Sequence, residues 1–340
     1  MNDLRYKVLI GTGGIGSGKF FKLNGNHTLG REESRSGHFL AQRDYCKLHI
    51  ISHYVKVLLG PNFQVITVGM VGEDELGHQI FNEMTETGFD MRFVEFHKNA
   101  PTLNSICFLY PDGTGGNLTI DDSACNYVGI EYISQLEEEF TKYRGKGIAL
   151  AAAEVPLEAR KELLQLATQY SFYRVANFTT GEMKAALSNG SLKMVDLLGI
   201  NLDEAGVVAE MDAETSPPLD IVLETIKRLR IENPSIHLSI TAGKNGSWTW
   251  DGKTMNHISA IPVHVISSAG AGDTHLAGII VGLITGLHLF QAQELGSLAA
   301  SLSVTSPHTI HPGINRTSLC QFAKDKSIAL SSQVLDFIVS

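Results

Sequence analysis

The sequence predicts an α/β fold, a mostly parallel sheet wrapped by helices, with a small β excursion, all within one domain spanning residues 1–340. Three observations predict it. In the second half of the chain, short apolar strands alternate with helical segments of about 10–15 residues, the pattern of βαβ units. No internal repeat, low-complexity tract or linker breaks the chain into parts. Hydrophobic residues make up 43% of it and charged residues only 19%, which suits a packed core and excludes a disordered or coiled-coil chain.

The elements follow in order. Tyr6 to Ile10 reads as a buried strand that ends in a glycine-rich turn. Gly18 to Leu40 mixes Gly, Asn, His, Arg and Glu without helical periodicity, so loops or a short exposed sheet are expected there. Cys46 to Leu59 is helical, with Leu48, Ile51, Val55 and Leu58 near one face. Val65 to Val68 is a short strand. Leu76, Ile80, Phe81 and Met84 recur at helical spacing, and Gly88 stops that helix. Ser105 to Tyr110 and Asn117 to Ile120 form a hairpin around Pro111-Asp112-Gly113. Gly147 to Ala151 is a strand and Leu157 to Tyr170 a helix. Phe172 to Val175 and Leu197 to Ile200 are strands. Ile221 to Leu229 is a helix, and Ile236 to Thr241 a strand. Ser247 to Ile258 is a hairpin about Asp251-Gly252. Asp273 to Leu287 and Glu294 to Val304 are apolar helices.

Charge and cysteine content exclude several classes. Lys and Arg number 27 against 36 Asp and Glu, a net charge of −9. Such a chain is a poor partner for nucleic acid or an anionic membrane surface. Cys46, Cys107, Cys125 and Cys320 form no CxxC pair, so neither a disulfide framework nor a zinc ribbon is indicated. Free, buried thiols in a reducing cytoplasm are expected. No basic-then-apolar leader is visible at the N-terminus. The most apolar long stretch, Ala277 to Leu287, carries three glycines and is far short of the roughly 20 residues a membrane span needs.

Two glycine clusters carry the chemistry in different ways. Gly11, Gly13 and Gly16 form GxGxxG after a strand, the dinucleotide fingerprint, and Gly13 to Lys19 is one residue short of a P-loop. Both need a helix to follow, because the phosphates rest on its N-terminal amides. FFKLNGNHTLG follows instead, and Phe20 stands where a P-loop needs Ser or Thr. A tight turn passing close to a ligand or neighbour is the plainer expectation. Ser268-Ala269-Gly270-Ala271-Gly272-Asp273 differs, because a long apolar helix does follow. Small residues bring backbone N–H groups close to an anion at a helix start. Asp273 can take a proton from a hydroxyl held beside it. A base beside an anion hole is what phosphoryl transfer to an alcohol requires; the alternative is a carboxylate capping the helix after a glycine turn.

The GAGD turn with THLAGIIVGL resembles the strongest signature of the ribokinase-like (PfkB) carbohydrate kinases. VGMVGEDELGHQIFNEMTETGFD (68–90), the pair Pro101-Thr102, INLDEAG (200–206) and SITAGKNGS (239–247) resemble further family elements in the family's order. The resemblance covers about residues 60–315. It implies a three-layer α/β/α fold with a β-sheet lid from excursions at about 17–45 and 103–121. It implies an ATP- and Mg²⁺-dependent carbohydrate kinase acting on a hydroxyl of a small, sugar-like acceptor. Asp273 would be the base, and the amides of Gly270, Ala271 and Gly272 would hold the γ-phosphate. Asn201 and Glu204 would organise magnesium, through water. Thr241, Gly243 and Gly246 would lie along the nucleotide, with Ser297 to Pro312 walling the adenine. A cytoplasmic location is implied, with no nucleic-acid or membrane partner, and a homodimer through the lid is left open. Two rival readings stand beside it. One is a non-catalytic nucleotide- or sugar-binding member, against which the retained GAGD, Asn201 and Glu204 speak. The other is a dinucleotide-dependent oxidoreductase, which rests on GTGGIG alone.

The chain departs from the family on the acceptor side. The Gly-Gly signature before the first long helix is replaced by Arg43-Asp44-Tyr45-Cys46-Lys47, and Gly14 to Gly18 stands where an acceptor-binding Asp is usual. Arg31, Arg35, Arg43 and Lys47, near the expected lid, are candidate acceptor ligands. They predict an acceptor that carries negative charge, because arginine forks match carboxylate and phosphate oxygens; the plainer reading is lid charge partnered by Glu32, Glu33 and Asp44. His49 and His53, four apart on a helix, could hold zinc, but no third ligand is identifiable, and His308 and His311 read as loop residues near the nucleotide.

Overall fold

Alternation along the strands decides the architecture. In the first strand, Val8 and Ile10 point into one apolar cluster and Leu9 into another. A strand buried on both faces needs helices on both sides. A computed structural model describes residues 4–112 and 115–339 and has that arrangement.

The strands are β1 (Val8–Thr12), β2 (Ser17–Leu23), β3 (Gly37–Tyr45), β4 (Gln64–Gly72), β5 (Asp90–His97), β6 (Ser105–Leu109), β7 (Gly115–Thr119), β8 (Gly147–Ala151), β9 (Tyr173–Ala176), β10 (Leu197–Asn201), β11 (His237–Thr241), β12 (Ser247–Trp250) and β13 (Met255–Ile258). Nine form the central sheet, in the order β13-β12-β11-β10-β9-β8-β1-β4-β5. It is parallel from β11 to β5, and β12 and β13 close one edge antiparallel. The helices are α1 (Lys47–Leu59), α2 (Glu75–Thr87), α3 (Ile130–Ser134), α4 (Glu137–Lys142), α5 (Leu157–Gln169), α6 (Met183–Ser188), α7 (Leu202–Ala209), α8 (Pro218–Glu232), α9 (Ala271–Ile284), α10 (Leu289–Ser303), α11 (Arg316–Asp325) and α12 (Ser332–Val339). Apolar residues of α1, α2 and α9 to α12 cover one face, and those of α3 to α8 cover the other. This is the expected three-layer α/β/α fold. None of these helices is long and apolar enough to cross a membrane.

The lid also has the expected place. β3, β2, β6 and β7 form a separate four-stranded sheet. The Gly113 of the turn between β6 and β7 lies outside the described residues. The lid is rooted at Thr102, whose N–H and hydroxyl both donate to Asp74, at 2.8 and 2.7 Å. Asp74 is the N-cap of α2 and also accepts from Gly77 N at 2.7 Å. One capping carboxylate thus holds both a helix start and the entry to the lid.

The glycine fingerprint has no helix behind it. β2 follows β1, and Gly16 lies in a bridge to Leu103. A Cβ on Gly16 would stand 1.9 Å from Leu103 O, and one on Gly13 would stand 2.7 Å from the Ala152 Cβ. These glycines serve close packing, so the dinucleotide expectation loses its structural basis: no helix N-terminus exists there to receive a pyrophosphate.

The helix that follows GAGD is buried all round from Thr274 to Ile284, beneath α1 and against α10. The two helices α9 and α10 meet at glycine: a Cβ on Gly278 would lie 2.5 Å from Gly296 Cα. Overpacking of this kind costs about 1–3 kcal/mol. Gly278→Val is expected to lower the thermal midpoint by several degrees, while Gly181→Ala, where a new Cβ meets nothing within 4 Å, leaves it unchanged. Equal midpoints for the two variants in parallel melts would contradict this packing.

Candidate active site

In doubly wound sheets, ligands bind outside the carboxyl ends of the strands. A cavity of about 700 Å³ opens there, beyond β10 and β11, walled by the start of α9 and by α10. Asn201, Glu204, Thr241, Gly243, Gly246, Gly270, Ala271, Gly272, Asp273 and Ser297 all line it, together with Lys47 from α1.

The start of α9 is shaped by Gly270, which caps the helix at φ 76°, a conformation L side chains rarely adopt. The first hydrogen bond of the helix runs from Thr274 N to Gly270 O at 2.9 Å. The three amides before it have no partner one turn back. Ala271 N turns to Ser268 O at 3.2 Å, which leaves the Gly272 and Asp273 N–H groups as the donors of this turn. A Cβ on Gly272 would already touch Thr241 Oγ1, at 3.4 Å, so α9 and the end of β11 share this corner.

Asp273 faces a lysine. Lys47 Nζ lies 3.8 Å from Asp273 Oδ1 and 3.9 Å from Glu204 Oε1. Burial pushes the Asp273 carboxyl up, and Lys47 opposes that rise. Asp273 in turn is the main cause that raises Lys47. Glu204 is half of a capping box on α7. Its N–H donates to Asn201 Oδ1 at 2.8 Å, and its Oε2 accepts from Asn201 N at 2.9 Å. The pair is a helix start, as its spacing allows: one Glu204 carboxylate oxygen caps the helix, and the other lies 3.9 Å from Lys47 Nζ at the cavity.

Two further carboxylates stand where the central sheet meets the lid, outside the residues that line the cavity, and the sequence does not single out Glu154. Glu154 follows β8 with φ 78°, a strained conformation for a non-glycine residue. The residue before it, Ala153, is held at both its backbone groups, by Gly14 N to Ala153 O at 2.9 Å and Ala153 N to Asn177 Oδ1 at 2.9 Å. The Glu154 Oε2 is buried and has no hydrogen-bond partner among the described residues. A Cβ on Gly14 would stand 2.6 Å from Glu154 Cβ and Oε2, so the glycine that replaces the usual carboxylate makes room for another. Asp44, on β3, accepts from Cys107 Sγ at 3.1 Å. Burial raises the Asp44 carboxyl and, with Asp44 beside it, pushes the Cys107 thiol up to about 12. The position of Glu154, at the carboxyl end of a parallel strand, was the available signal.

The end of the cavity at Gly243 and Gly246 is a turn and a polar floor. Gly246 has φ 82°, and a Cβ there would strike Ile258 O at 2.0 Å. Beneath, His275 is buried and pushed down to about 4 by burial, hence neutral. It joins Ser239 Oγ at 3.3 Å, Ser247 Oγ at 3.1 Å and Ser297 Oγ at 3.4 Å. α9 is thereby tied to β11, β12 and α10.

Other expected residues lie elsewhere. Arg35 makes a two-pronged contact with Glu33, at 2.6 and 2.7 Å, on the lid. Arg43 pairs with Glu83 at 2.8 Å. Neither of them, nor exposed Arg31, lines the cavity of Asp273. Only Lys47 of the four does. His49, His53 and His308 border a different hollow with Arg43 and Glu83, so His308 stands away from the nucleotide end. Among the described residues, no group of three or more His, Cys, Asp or Glu is placed to hold a metal. The four cysteines are free. Magnesium fits the Asn201–Glu204 corner only in its usual manner, mostly hydrated: Glu204 Oε1 is a hard oxygen donor outside the capping box, and no protein cage surrounds it.

This arrangement is that of a known class. The pfkB family carbohydrate kinase pattern matches residues 52–316, and the chain belongs to that family. Among curated proteins, the uncharacterized sugar kinase YegV of Escherichia coli is 31% identical over 121 residues, 36% of this chain and 36% of that protein. The 5-dehydro-2-deoxygluconokinase of Clostridium beijerinckii is 25% identical over 252 residues, 70% of this chain and 72% of that protein. The structure of Arabidopsis thaliana ribokinase complexed with ribose and ATP shares the fold with a TM-score of 0.73 at 18% identity, covering 94% of this chain and 99% of that one.

Glu154 generates a stability prediction. Burial raises its carboxyl to about 7 from 4.5. The folded protein therefore holds a proton that the unfolded chain releases, and stability falls as pH climbs from about 4.5 through 7. Glu154→Gln removes that loss. Its thermal midpoint should exceed the wild type's by a few degrees at pH 8 and match it at pH 5. The same difference at both pH values would refute the assignment.

Proposed function

We propose that the protein transfers the γ-phosphoryl group of ATP to a hydroxyl of a sugar or sugar derivative. One observation carries this reading: a partly buried carboxylate, Asp273, stands on the same helix turn as the amides of Gly272 and Asp273, which have no partner among the described residues, at the mouth of a cavity that extends to Thr241, Gly243, Gly246 and Ser297. The Arabidopsis ribokinase, complexed with ribose and ATP, agrees with a cavity of two ends.

In this reading the acceptor hydroxyl gives its proton to Asp273 as its oxygen attacks the γ-phosphorus. The bond to the β-phosphate oxygen breaks, and its electron pair leaves with ADP. The amides of the GAGD turn would stabilise the transferring group, as fixed donors do where charge develops. Magnesium, held through water by Asn201 and Glu204, would offset phosphate charge when bound. The lid would exclude water, the competing acceptor.

The acceptor end supports a polyhydroxylated acceptor without net negative charge. Asp273 presents a carboxylate that can accept a hydroxyl hydrogen bond, and Arg35 and Arg43 are already engaged by Glu33 and Glu83. A coupled ADP-release screen over neutral sugars, sugar acids, sugar phosphates and nucleosides tests this. Turnover of neutral acceptors is expected, with Arg31→Ala and Arg35→Ala silent. Turnover of anionic acceptors alone, with a raised KM in those variants, would restore the arginines as ligands. On the acceptor so found, Asp273→Asn should lose about 10²–10⁴-fold in rate and keep its nucleotide affinity; near-full activity would remove Asp273 from the mechanism.

The lid also supports a homodimer. One face of its sheet carries Asp44 and Cys107, and the other leaves Phe39, Ile106 and Leu118 at 57%, 42% and 63% exposure. Such apolar surface marks contact sites. Light scattering should find a dimer in the wild type and a monomer in Leu118→Glu with Ile106→Glu; a wild-type monomer ends this proposal.

A further inference from the structure

We propose that Lys47 is a built-in cation for the transferring phosphoryl group: its ammonium contacts the γ-phosphate of bound ATP between Asp273 and Glu204. The inference rests on the kinase reading above, and goes beyond it by assigning a residue the sequence placed only with the acceptor.

Lys47 breaks local rules at the place where the helix meets the cavity. It is the first residue of α1, where a positive charge opposes the helix dipole. The residue before it, Cys46, caps the helix without a side-chain hydrogen bond, and the first turn has no acidic residue. Ser, Thr, Asp or Asn at that cap and a carboxylate in that turn would each stabilise the helix. Local preferences that fail together at a cavity mark a functional position.

The geometry says what the ammonium is free to do. Its two carboxylate neighbours lie at 3.8 and 3.9 Å, beyond the roughly 3.2 Å of a close N–H···O bond. An ammonium has three donors, and these are not consumed by the pair. Asp273 marks where the acceptor oxygen gives up its proton, and Glu204 Oε1 faces the phosphates. A group passing between them passes Lys47. Lysine is a point charge with rotatable donors, suited to phosphate oxygens. Of the four cations expected near the acceptor, it is the one that lines the cavity. Throughout the transfer Lys47 keeps its protons; the acceptor proton goes to Asp273 and the leaving electron pair to ADP.

The test compares a triphosphate with a diphosphate by titration calorimetry, with magnesium present, in the wild type, Lys47→Met and Lys47→Arg. The probes are the β,γ-imido analogue of ATP, and ADP. Lys47→Met should bind the analogue at least about 10-fold more weakly and ADP within about twofold, because only the first has the contacted group. Lys47→Arg should keep most of the analogue's affinity. With an acceptor found, Lys47→Met should also lose about 10²–10³-fold in kcat, the range for removing one fixed donor at developing charge. Equal losses for both nucleotides, or none, overturn the proposal and leave the kinase reading intact. A wild type that binds neither nucleotide overturns the kinase reading itself. Removing a partly buried cation from among carboxylates is destabilising. If Lys47→Met does not fold, the double variant Lys47→Met with Glu204→Gln, set against Glu204→Gln alone, carries the same comparison of analogue and ADP.

Discussion

The start of α9 is the constraint on which the rest depends. Gly270 must hold a left-handed conformation for the chain to enter the helix with its first amides open. A Cβ there would also press on Thr309 O at 2.9 Å. Thr309 in turn accepts from Tyr45 N and donates to Arg43 O, both at 3.1 Å. One loop thus backs the GAGD turn and fastens the end of lid strand β3. The burial of α9 on every side keeps that turn from drifting, because a helix packed against sheet, α1 and α10 has no free face on which to rotate.

Charge is arranged against stability around this turn. Asp44, Glu154, Glu204 and Asp273 are all raised by burial, and Lys47 opposes the rise in each. A group of carboxylates sharing one lysine is a poor way to stabilise a core. Strain at Glu154 adds to the cost. The rest of the fold compensates with two large apolar clusters, one on each face of the sheet. The unfavourable choices gather at the carboxyl ends of the strands, where an α/β sheet places its chemistry.

Much of the fold was legible because its signals are local. The alternation of short apolar runs with helical periodicity announced β8 to β11 and, between them, α5 and α8. The glycine turns at 243–246 and 270 were legible because positive φ and close approach leave few other residues able to serve. β5, Asp90–His97, was missed: its burial is uneven and Arg92 and Glu95 interrupt it, so only its pairing with β4 makes it a strand. The short helices Ile130–Ser134 and Glu137–Lys142 are too brief for periodicity to declare.

The sequence by itself determined the fold class, the family elements and the residues of the GAGD turn, because each is written within a short window of spacing and conformational preference. The tertiary structure decided which charges meet. The stretch Gly14 to Gly18 lacks a carboxylate, and only the contact of Gly14 shows Glu154 in the space it leaves. Arg35 has two readings in the sequence, an anion ligand or a partner of Glu33, and the fold pairs it with Glu33. Lys47, Glu204 and Asp273 are far apart in the chain and come within 4 Å only because the sheet order brings α1, α7 and α9 to one crevice. Electrostatic partnership depends on distance in space, and spacing along a single chain does not specify it.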